Sequence, residues 1–198
     1  SKYLDQFSEN DKNNFKENLK IINNQIKQIE NLVNEFSDFA RMPKPILKDN
    51  DLIKIINESI KLLSELDNSI KIDLIKNKDE ILLNCDKEQI ARVFINLIKN
   101  SIESIEEKSK KTANFEKKIS IEISQNNDHI KITLLDNGLG FSEIKGRIKD
   151  ILNPYFTTKK NGTGLGLSIV NKIINDHNGE LNFFPINDGA KIEIIFRL

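Results

Sequence analysis

A heptad pattern of apolar residues runs through residues 11–41 and constrains the fold more than any other feature of the sequence. Lys, Glu, Asn and Gln occupy most of the opposite face, so the pattern predicts one long amphipathic helix. Such a stripe needs a partner, either another helix of a bundle or a second chain; the alternative is a long helix packed on its own domain. The apolar positions follow steps of four and three residues, at Phe15, Leu19, Ile22, Ile26, Ile29, Val33, Phe36 and Ala40.

A pair of prolines ends this predicted helix at Met42-Pro43-Lys44-Pro45. Proline has no backbone N–H to donate, and it also moves the preceding residue out of helical conformation. We therefore expect a helical region over residues 1–42, a linker over 43–50 and a folded domain over 51–198.

The domain over residues 51–198 mixes helices with short strands. Asp51 and Asp86 are predicted N-caps, and Asp86 with Gln89 resembles a capping box. A polar, solvated loop is predicted over 108–118. Helices and mostly antiparallel strands together predict an α+β fold with helices layered on one sheet. The predicted helices cover 52–66, 87–108 and 166–177, and the predicted strands cover 70–75, 81–84, 119–124, 129–135, 180–184 and 192–197.

The composition restricts the partners and the compartment of the chain. Lys and Arg together number 30 and so do Asp and Glu, which gives a net charge of zero and argues against nucleic acid as a partner. Cys85 is the single cysteine, and we expect it to be a small core residue in a protein of the reducing cytosol. No apolar run approaches the ~20 residues of a membrane span, so we expect no membrane contact. Because the chain starts without Met, we expect it to be a segment of a longer protein.

Five of the eight glycines lie in two short clusters. The first, Asp136-Asn137-Gly138-Leu139-Gly140, follows a predicted strand, although Asp-Asn-Gly is also an ordinary turn sequence. The second, Gly162-Thr163-Gly164-Leu165-Gly166, precedes a predicted helix. Backbone N–H groups of such a loop and the positive end of a helix dipole both favour a phosphate group.

Two further elements carry polar side chains that suit a nucleotide. Asn96 and Asn100 share one face of a predicted helix, and an amide oxygen can complete the ligand shell of Mg²⁺ beside phosphate oxygens. The segment Pro154-Tyr155-Phe156-Thr157-Thr158-Lys159 lies between the glycine clusters, with aromatic rings for anchoring and Thr and Lys for a phosphate. Taken singly, these elements are equally compatible with surface asparagines and a solvated loop.

The order of the four elements resembles the N box, first glycine box, F box and second glycine box of the histidine-kinase ATPase domain, of the GHKL or Bergerat superfamily. The resemblance covers residues 46–198 and implies a Bergerat-type α/β sandwich that binds ATP and Mg²⁺. Residues 32–45 are similar to the end of the dimerisation and phosphotransfer hairpin in NtrY-type nitrogen-regulation sensor kinases. The heptad helix would then be the second hairpin helix, with residues 1–9 as the tail of the first helix and the turn.

The resemblance also implies roles for individual residues. Asp136 would accept a hydrogen bond from the adenine amino group, and Asn100 would be the Mg²⁺ ligand, with Asn96 lining the phosphate site one turn earlier. Residues 141–161 would form a lid over ATP, in which Arg147 and Lys159 would contact a phosphate. The other implied ATP-binding residues are Gly138 and Gly140 beside the base, and Thr158, Lys159, Gly162, Thr163, Gly164, Leu165 and Gly166 around the phosphates.

The implied reaction is transfer of the ATP γ-phosphate to a histidine, and from there to an aspartate of an NtrX-like receiver domain, by a homodimeric kinase. His129, in a predicted strand beside a turn, and His177, at a predicted helix end, match no phosphoacceptor motif, so we expect no autophosphorylation by this chain alone. Asn96 stands where related gyrase-type ATPases have a water-activating Glu, and an amide cannot act as a general base. Two alternatives remain open: a non-catalytic module that serves either nucleotide binding or dimer scaffolding, and a serine kinase of the anti-sigma type.

Overall fold

The computed structural model describes residues 9–65, 69–141, 148–159 and 162–198. Within these ranges, the domain mixes helices and strands, as the sequence predicts. In chain order they are α1 (Glu9–Ala40), β1 (Lys48–Asp51), α2 (Leu52–Ser64), β2 (Lys71–Lys76), β3 (Leu82–Cys85), α3 (Lys87–Ser109), β4 (Lys118–Gln125), β5 (His129–Asp136), a 3₁₀ helix (Ile148–Leu152), α4 (Gly166–Asp176), β6 (Gly179–Pro185) and β7 (Ala190–Arg197).

Five strands form the main sheet in the order β2-β4-β5-β7-β6. The β2–β4 pair is parallel, and the three other pairs are antiparallel. Helices α2, α3 and α4 pack together beside this sheet, because their apolar residues join those of the strands in one buried cluster. The prediction of an α+β fold, with helices layered on a mixed and mostly antiparallel sheet, is confirmed.

Strand β1 is a feature that the sequence does not predict. Its residues, Lys48-Asp49-Asn50-Asp51, cover the end of the predicted linker and the predicted N-cap Asp51, and all four are polar types that are weak strand formers. Pairing with β3 forms the strand, and the Asn50 side chain donates a hydrogen bond of 2.8 Å to the Cys85 carbonyl oxygen. Cys85 is buried as predicted, and this burial raises the pKa of its thiol to about 11.

The start of α3 connects three parts of the chain. Asp86 Oδ1 accepts hydrogen bonds of 3.1 Å from the backbone N–H groups of Glu88 and Gln89, which confirms it as the N-cap. The reciprocal half of the predicted capping box is wrong. The Gln89 side chain donates instead to the Pro43 carbonyl oxygen at 3.0 Å, and the Asp86 N–H donates to Nε2 of His177 at 3.0 Å. His177, at the end of α4, therefore holds two helices together.

Helix α1 exposes the apolar stripe that the heptad pattern predicts. The stripe residues from Phe15 to Phe36 are between 43% and 61% exposed, so the rest of the described structure does not cover them. Phe39 and Met42, near the end of the helix, do pack against the domain core. The alternative of a helix lying with its stripe on its own domain is therefore wrong. Among the described residues, none of the helices is long and apolar enough to cross a membrane.

Candidate nucleotide site

A cavity of about 410 Å³ lies between α3, the loop after β5, the segment around residues 151–164 and the start of α4. Most of the residues that the sequence predicts for the site meet here, although they come from distant parts of the chain. Gly138 and Leu165 are the two predicted residues of the described structure that do not line it. Those that do are Asn96, Asn100, Asp136, Gly140, Thr158, Lys159, Gly162, Thr163, Gly164 and Gly166.

Asp136 is a buried carboxylate at the end of β5, only 6% exposed. Its Oδ2 accepts a hydrogen bond of 2.8 Å from Ser101 Oγ, and its Oδ1 accepts one of 2.9 Å from the Gly138 N–H. Burial raises the pKa of this carboxyl above its usual value, while these hydrogen bonds and one from the Ala190 N–H act in the opposite direction. A carboxylate offers about four acceptor positions, so Asp136 retains capacity for an N–H group of a ligand.

The first glycine cluster packs closely on α3. A Cβ on Gly138 would lie 2.4 Å from Ser104 Oγ, which itself accepts a hydrogen bond of 2.9 Å from the Leu139 N–H. Gly140 has a φ of +65°, and a Cβ there would lie 2.1 Å from the carbonyl oxygen of Gly189. Gly138 therefore acts through packing, by letting the loop approach the helix, and Gly140 forms part of the cavity wall.

Lys108 holds this loop from the last turn of α3. Its Nζ donates to the carbonyl oxygens of Asn137 at 2.7 Å and Gly138 at 3.0 Å, and it pairs with the Asp188 carboxylate. The ammonium also lies 5.0 Å from the centre of the Phe115 ring. The prediction that Lys108 begins a solvated loop is wrong, because the glycine loop folds back over the helix end and supplies it with acceptors.

The cavity lining includes a lysine held by two oxygen atoms of α3. Lys159 Nζ lies 3.0 Å from Asn100 Oδ1 and 2.5 Å from Glu103 Oε2. Asn96 lies one turn earlier, beside the first residue of α4, and a Cβ on Gly166 would be at an ordinary 3.6 Å from its Oδ1. The amide and carboxylate oxygens that reach one ammonium are also the ligand types that Mg²⁺ prefers, so these residues fit that ion.

The second glycine cluster forms the entry to α4. Gly164 has a φ of +72°, and a Cβ there would lie 2.5 Å from the carbonyl carbon of Tyr155. Leu165 is fully buried, so its side chain belongs to the core and not to the cavity. It anchors the start of α4 on that core. The Thr163 hydroxyl donates a hydrogen bond to the carboxylate of Glu35, which brings α1 to the edge of the cavity.

The predicted lid is described at residues 141 and 148–159. It contains the 3₁₀ helix, an element the sequence does not predict, and its Ile151 is buried and lines the cavity. Arg147, the other predicted phosphate contact, lies outside the described residues.

Several lining residues are not predicted from the sequence. The spacing of residues along α3 could have predicted two of them. Glu103 and Glu107 lie three and seven residues after Asn100, on the helix face that Asn96 and Asn100 begin. The pairing of the aromatic residues Phe141 and Phe183 has no such signal, because they come from distant parts of the chain. Their rings meet edge to face, with 5.8 Å between the centroids. The unpredicted residues include Lys99, Ser101, Glu103, Ser104, Glu107, Phe183 and Ile192.

The sequence profile of the family described as histidine kinase-, DNA gyrase B- and HSP90-like ATPase matches residues 85–198. The chain belongs to this family. Membership is consistent with the cavity, because the matched residues contain both glycine clusters, both asparagines and Lys159. The chain accordingly carries an ATP-binding domain of the histidine-kinase type.

Relatives within this family agree with the resemblance to NtrY-type kinases. The chain is 37% identical over 186 residues to an NtrY-like sensor histidine kinase of Rickettsia bellii, covering 93% of this chain and 29% of the relative. It is 32% identical over 176 residues to the nitrogen regulation protein NtrY of Azorhizobium caulinodans, covering 87% of this chain and 22% of that one. The chain thus spans less than a third of these relatives.

Solved structures of histidine kinases have the same fold. The nucleotide-free catalytic domain of the histidine kinase ThkA is 26% identical, with a TM-score of 0.64, covering 76% of this chain and 95% of that one. ThkA in complex with the response regulator protein TrrA has a TM-score of 0.71 at 24% identity, covering 92% of this chain and 51% of that one. The family match, the relatives and the fold agree that the chain contains an ATPase-family domain similar to the catalytic domains of sensor histidine kinases.

Proposed function

We propose that the chain binds MgATP in this cavity and presents the γ-phosphoryl group to a histidine of a dimerisation hairpin. The observation that carries the proposal is that a single cavity is lined both by the buried Asp136 carboxylate and by Asn100 with Lys159. An adenine needs an acceptor for its amino group, and a triphosphate needs cationic and metal-binding groups. These two sets of lining residues offer these two chemistries.

At the base end, Asp136 would accept a hydrogen bond from the adenine amino group, and Gly140 would lie beside the ring. Phe183 and Ile192 contribute apolar surface to the same cavity, which suits the faces of a purine. The Ser101 hydroxyl already donates to Asp136, and this bond holds the carboxylate in place from behind. The loss of Ser101 would therefore weaken the orientation of Asp136.

At the phosphate end, Asn100 would bind Mg²⁺, with Asn96, Thr158 and Lys159 near the phosphates. The second glycine cluster and the start of α4 add backbone N–H groups. Mg²⁺, when bound, neutralises the charge that develops on the transferred phosphoryl group. Asn96 has no basic group that could activate water, which favours transfer to another nucleophile over hydrolysis.

The acceptor histidine has to come from outside the histidines of this sequence. His177 is buried, and both of its ring nitrogens are engaged, Nε2 with the Asp86 N–H and Nδ1 with the Ile173 carbonyl oxygen at 2.8 Å. His129 is half-buried at the start of β5. The exposed stripe of α1 would supply the dimer contact, and an NtrX-like receiver domain would take the phosphoryl group. This reaction would take place in the cytosol.

Calorimetric titration with a non-hydrolysable ATP analogue and Mg²⁺ tests the site. We expect saturable binding by the unmutated chain and its loss in Asp136→Asn, because the amide cannot replace the carboxylate as an acceptor on both oxygens. Asp79→Asn, at an exposed position remote from the cavity, is the matched control and should bind normally. Absence of binding by the unmutated chain would contradict the proposal and favour the scaffold alternative.

The raised pKa of Asp136 adds a pH signature. The ionised form accepts hydrogen bonds on both oxygens, so affinity for the analogue should fall as the pH is lowered through the raised pKa, which lies above the usual 3.8. The stability of the fold depends on pH in the opposite direction. A raised pKa means that the folded state holds the proton more tightly than the unfolded state. The free energy of unfolding therefore decreases as the pH rises from the unfolded-state pKa to the folded-state pKa. Asp136→Asn should remove both dependences; an unchanged pH profile of stability would contradict this assignment.

A further inference from the structure

Lys159 makes two contacts in the cavity that the proposed nucleotide site does not explain. Its ammonium bridges the Asn100 amide oxygen and the Glu103 carboxylate, at 3.0 and 2.5 Å. The Lys159 and Glu103 side chains are 37% and 39% exposed, so this pair lies at the wall of the cavity within reach of solvent. Lys159 comes from a segment far along the chain, whereas the two oxygens lie on the same face of α3.

The two oxygens have the geometry of one cation-binding site. Residues three apart on a helix are neighbours, so α3 fixes the amide and the carboxylate side by side without help from the rest of the chain. One oxygen belongs to a neutral amide and the other to a negatively charged carboxylate, a combination that hard divalent cations bind well. The Lys159 ammonium already occupies the point between them.

We propose that Asn100 and Glu103 form a single cation site, at which the Lys159 ammonium exchanges with a divalent cation that arrives with the nucleotide. The role of Asn100 as a metal ligand rests on the proposed function; the second ligand, Glu103, and the exchange with Lys159 go beyond it. On exchange, the lysine charge becomes available to the nucleotide phosphates.

Electrostatics requires the exchange. Mg²⁺ binds oxygen ligands at about 2.0–2.1 Å, so an ion on Asn100 Oδ1 would lie against an ammonium bound to the same oxygen, and the two like charges would repel. With Lys159 in place, the Glu103 carboxylate is neutralised by a group of the protein itself. With a divalent cation in place, the Glu103 carboxylate and the phosphates together neutralise the charge of that cation. Glu103 is therefore paired in both states.

Paramagnetic broadening in the nucleotide-free protein tests the site directly. Mn²⁺ would be titrated into ¹⁵N-labelled chain while the side-chain amide signal of Asn100 is followed. Lys159→Met removes the competing ammonium, so the Mn²⁺ concentration for half-broadening should fall about two- to fivefold, the range of a partly exposed ion pair. Glu103→Gln removes the charged ligand and should raise that concentration at least about tenfold.

Lys172→Met is the matched control, because Lys172 forms an ion pair with Asp176 on α4 and does not line the cavity. It should leave the titration unchanged, and unperturbed signals elsewhere would show that each variant is folded. Equal half-broadening for the unmutated chain and Lys159→Met would overturn the exchange, and no effect of Glu103→Gln would overturn its role as a ligand. Calorimetry with the ATP analogue on the same samples separates these failures from a failure of nucleotide binding.

Discussion

Helices α1 and α3 are the two longest in the described structure, and both have a repeating apolar face, but the two faces have opposite environments. The 23 residues of α3 place Val93, Leu97 and Ile98 at 0% exposure in the core. The 32 residues of α1 leave the stripe from Phe15 to Phe36 at 43% to 61% exposure. Apolar periodicity therefore predicts that a face needs a partner, and the fold decides whether the chain itself contains that partner.

The burial of one face of α3 also explains where the site lies. A helix with one side in the core has its next face at the edge of that core, and α3 uses this position for Asn96, Asn100 and Glu103. Among its described residues, helix α1 contributes Gln28 and Glu35 to the cavity, beside its exposed stripe. Helix α3 therefore contributes both to the core and to the cavity, whereas α1 is joined to the domain by few contacts.

The largest expected difference between the two helices comes from one matched pair of substitutions. Phe94, in α3, is 1% exposed, and Phe94→Ala should lower the free energy of unfolding of the domain by about 3–5 kcal/mol through the cavity it leaves. Phe15, in α1, is 52% exposed, and Phe15→Ala should cost less than about 1 kcal/mol. Urea unfolding followed by circular dichroism measures both, and equal losses would contradict the proposed difference.

The next effect concerns the loop that packs on α3. Gly138→Ala places a Cβ against Ser104, and we expect a loss of about 1–3 kcal/mol in the free energy of unfolding from this overpacking. Gly166→Ala is the control, because its Cβ has room at the start of α4, where alanine should be neutral or stabilising by about 0.4–1 kcal/mol. Similar losses in both variants would mean that α3 does not approach the loop as closely as described.

A smaller effect is expected at the N-terminus of α3. Asp86→Ala removes the cap and should cost about 0.5–2 kcal/mol. Burial acts to raise the pKa of Asp86, but hydrogen bonds from the N–H groups of Ile46, Gln89 and Glu88 outweigh it and lower the pKa below 3.8. The lowered pKa stabilises the fold above pH 3.8, and this contribution is lost as the pH falls through the lowered value. Acid unfolding should show that loss in the unmutated chain and in the exposed control Asp79→Ala, but not in Asp86→Ala.

Much of α3 and of its environment could be predicted from the sequence because the signals are local. Asp86 as N-cap, the apolar face and the paired asparagines all lie within one helix, and periodicity with capping chemistry is enough to place them. The order of the four polar elements then predicted which distant segments would meet at this helix. The family match supports that prediction, because it covers the same residues.

What could not be predicted depends on contacts between distant segments. Lys108 looks like the start of a solvated loop until the glycine loop brings carbonyl oxygens to its ammonium. Strand β1 has no apolar residue, and only its pairing with β3 makes it a strand. Gln89 has the spacing of a capping box with Asp86. Its side chain donates instead to the Pro43 carbonyl oxygen, and the Asp86 N–H donates to His177.

The smallest effect on domain stability is expected from the stripe of α1, even for a polar substitution. Ile29 is 61% exposed, so Ile29→Asn should change the free energy of unfolding by no more than about 0.5 kcal/mol. If the stripe is a dimer contact, as we propose, the same change places an amide in an apolar seam and should weaken self-association. Sedimentation velocity over a range of concentrations measures that association.

Lys27→Asn is the matched control, since it introduces the same residue at an exposed position next to the stripe. It reproduces the loss of helix propensity without changing the apolar face, so self-association should persist. Loss of association in both variants would attribute the effect to helix stability, and loss in neither would remove the stripe from the dimer contact. A large drop in domain stability from Ile29→Asn would mean that α1 packs on the domain, and the contrast with α3 would fail.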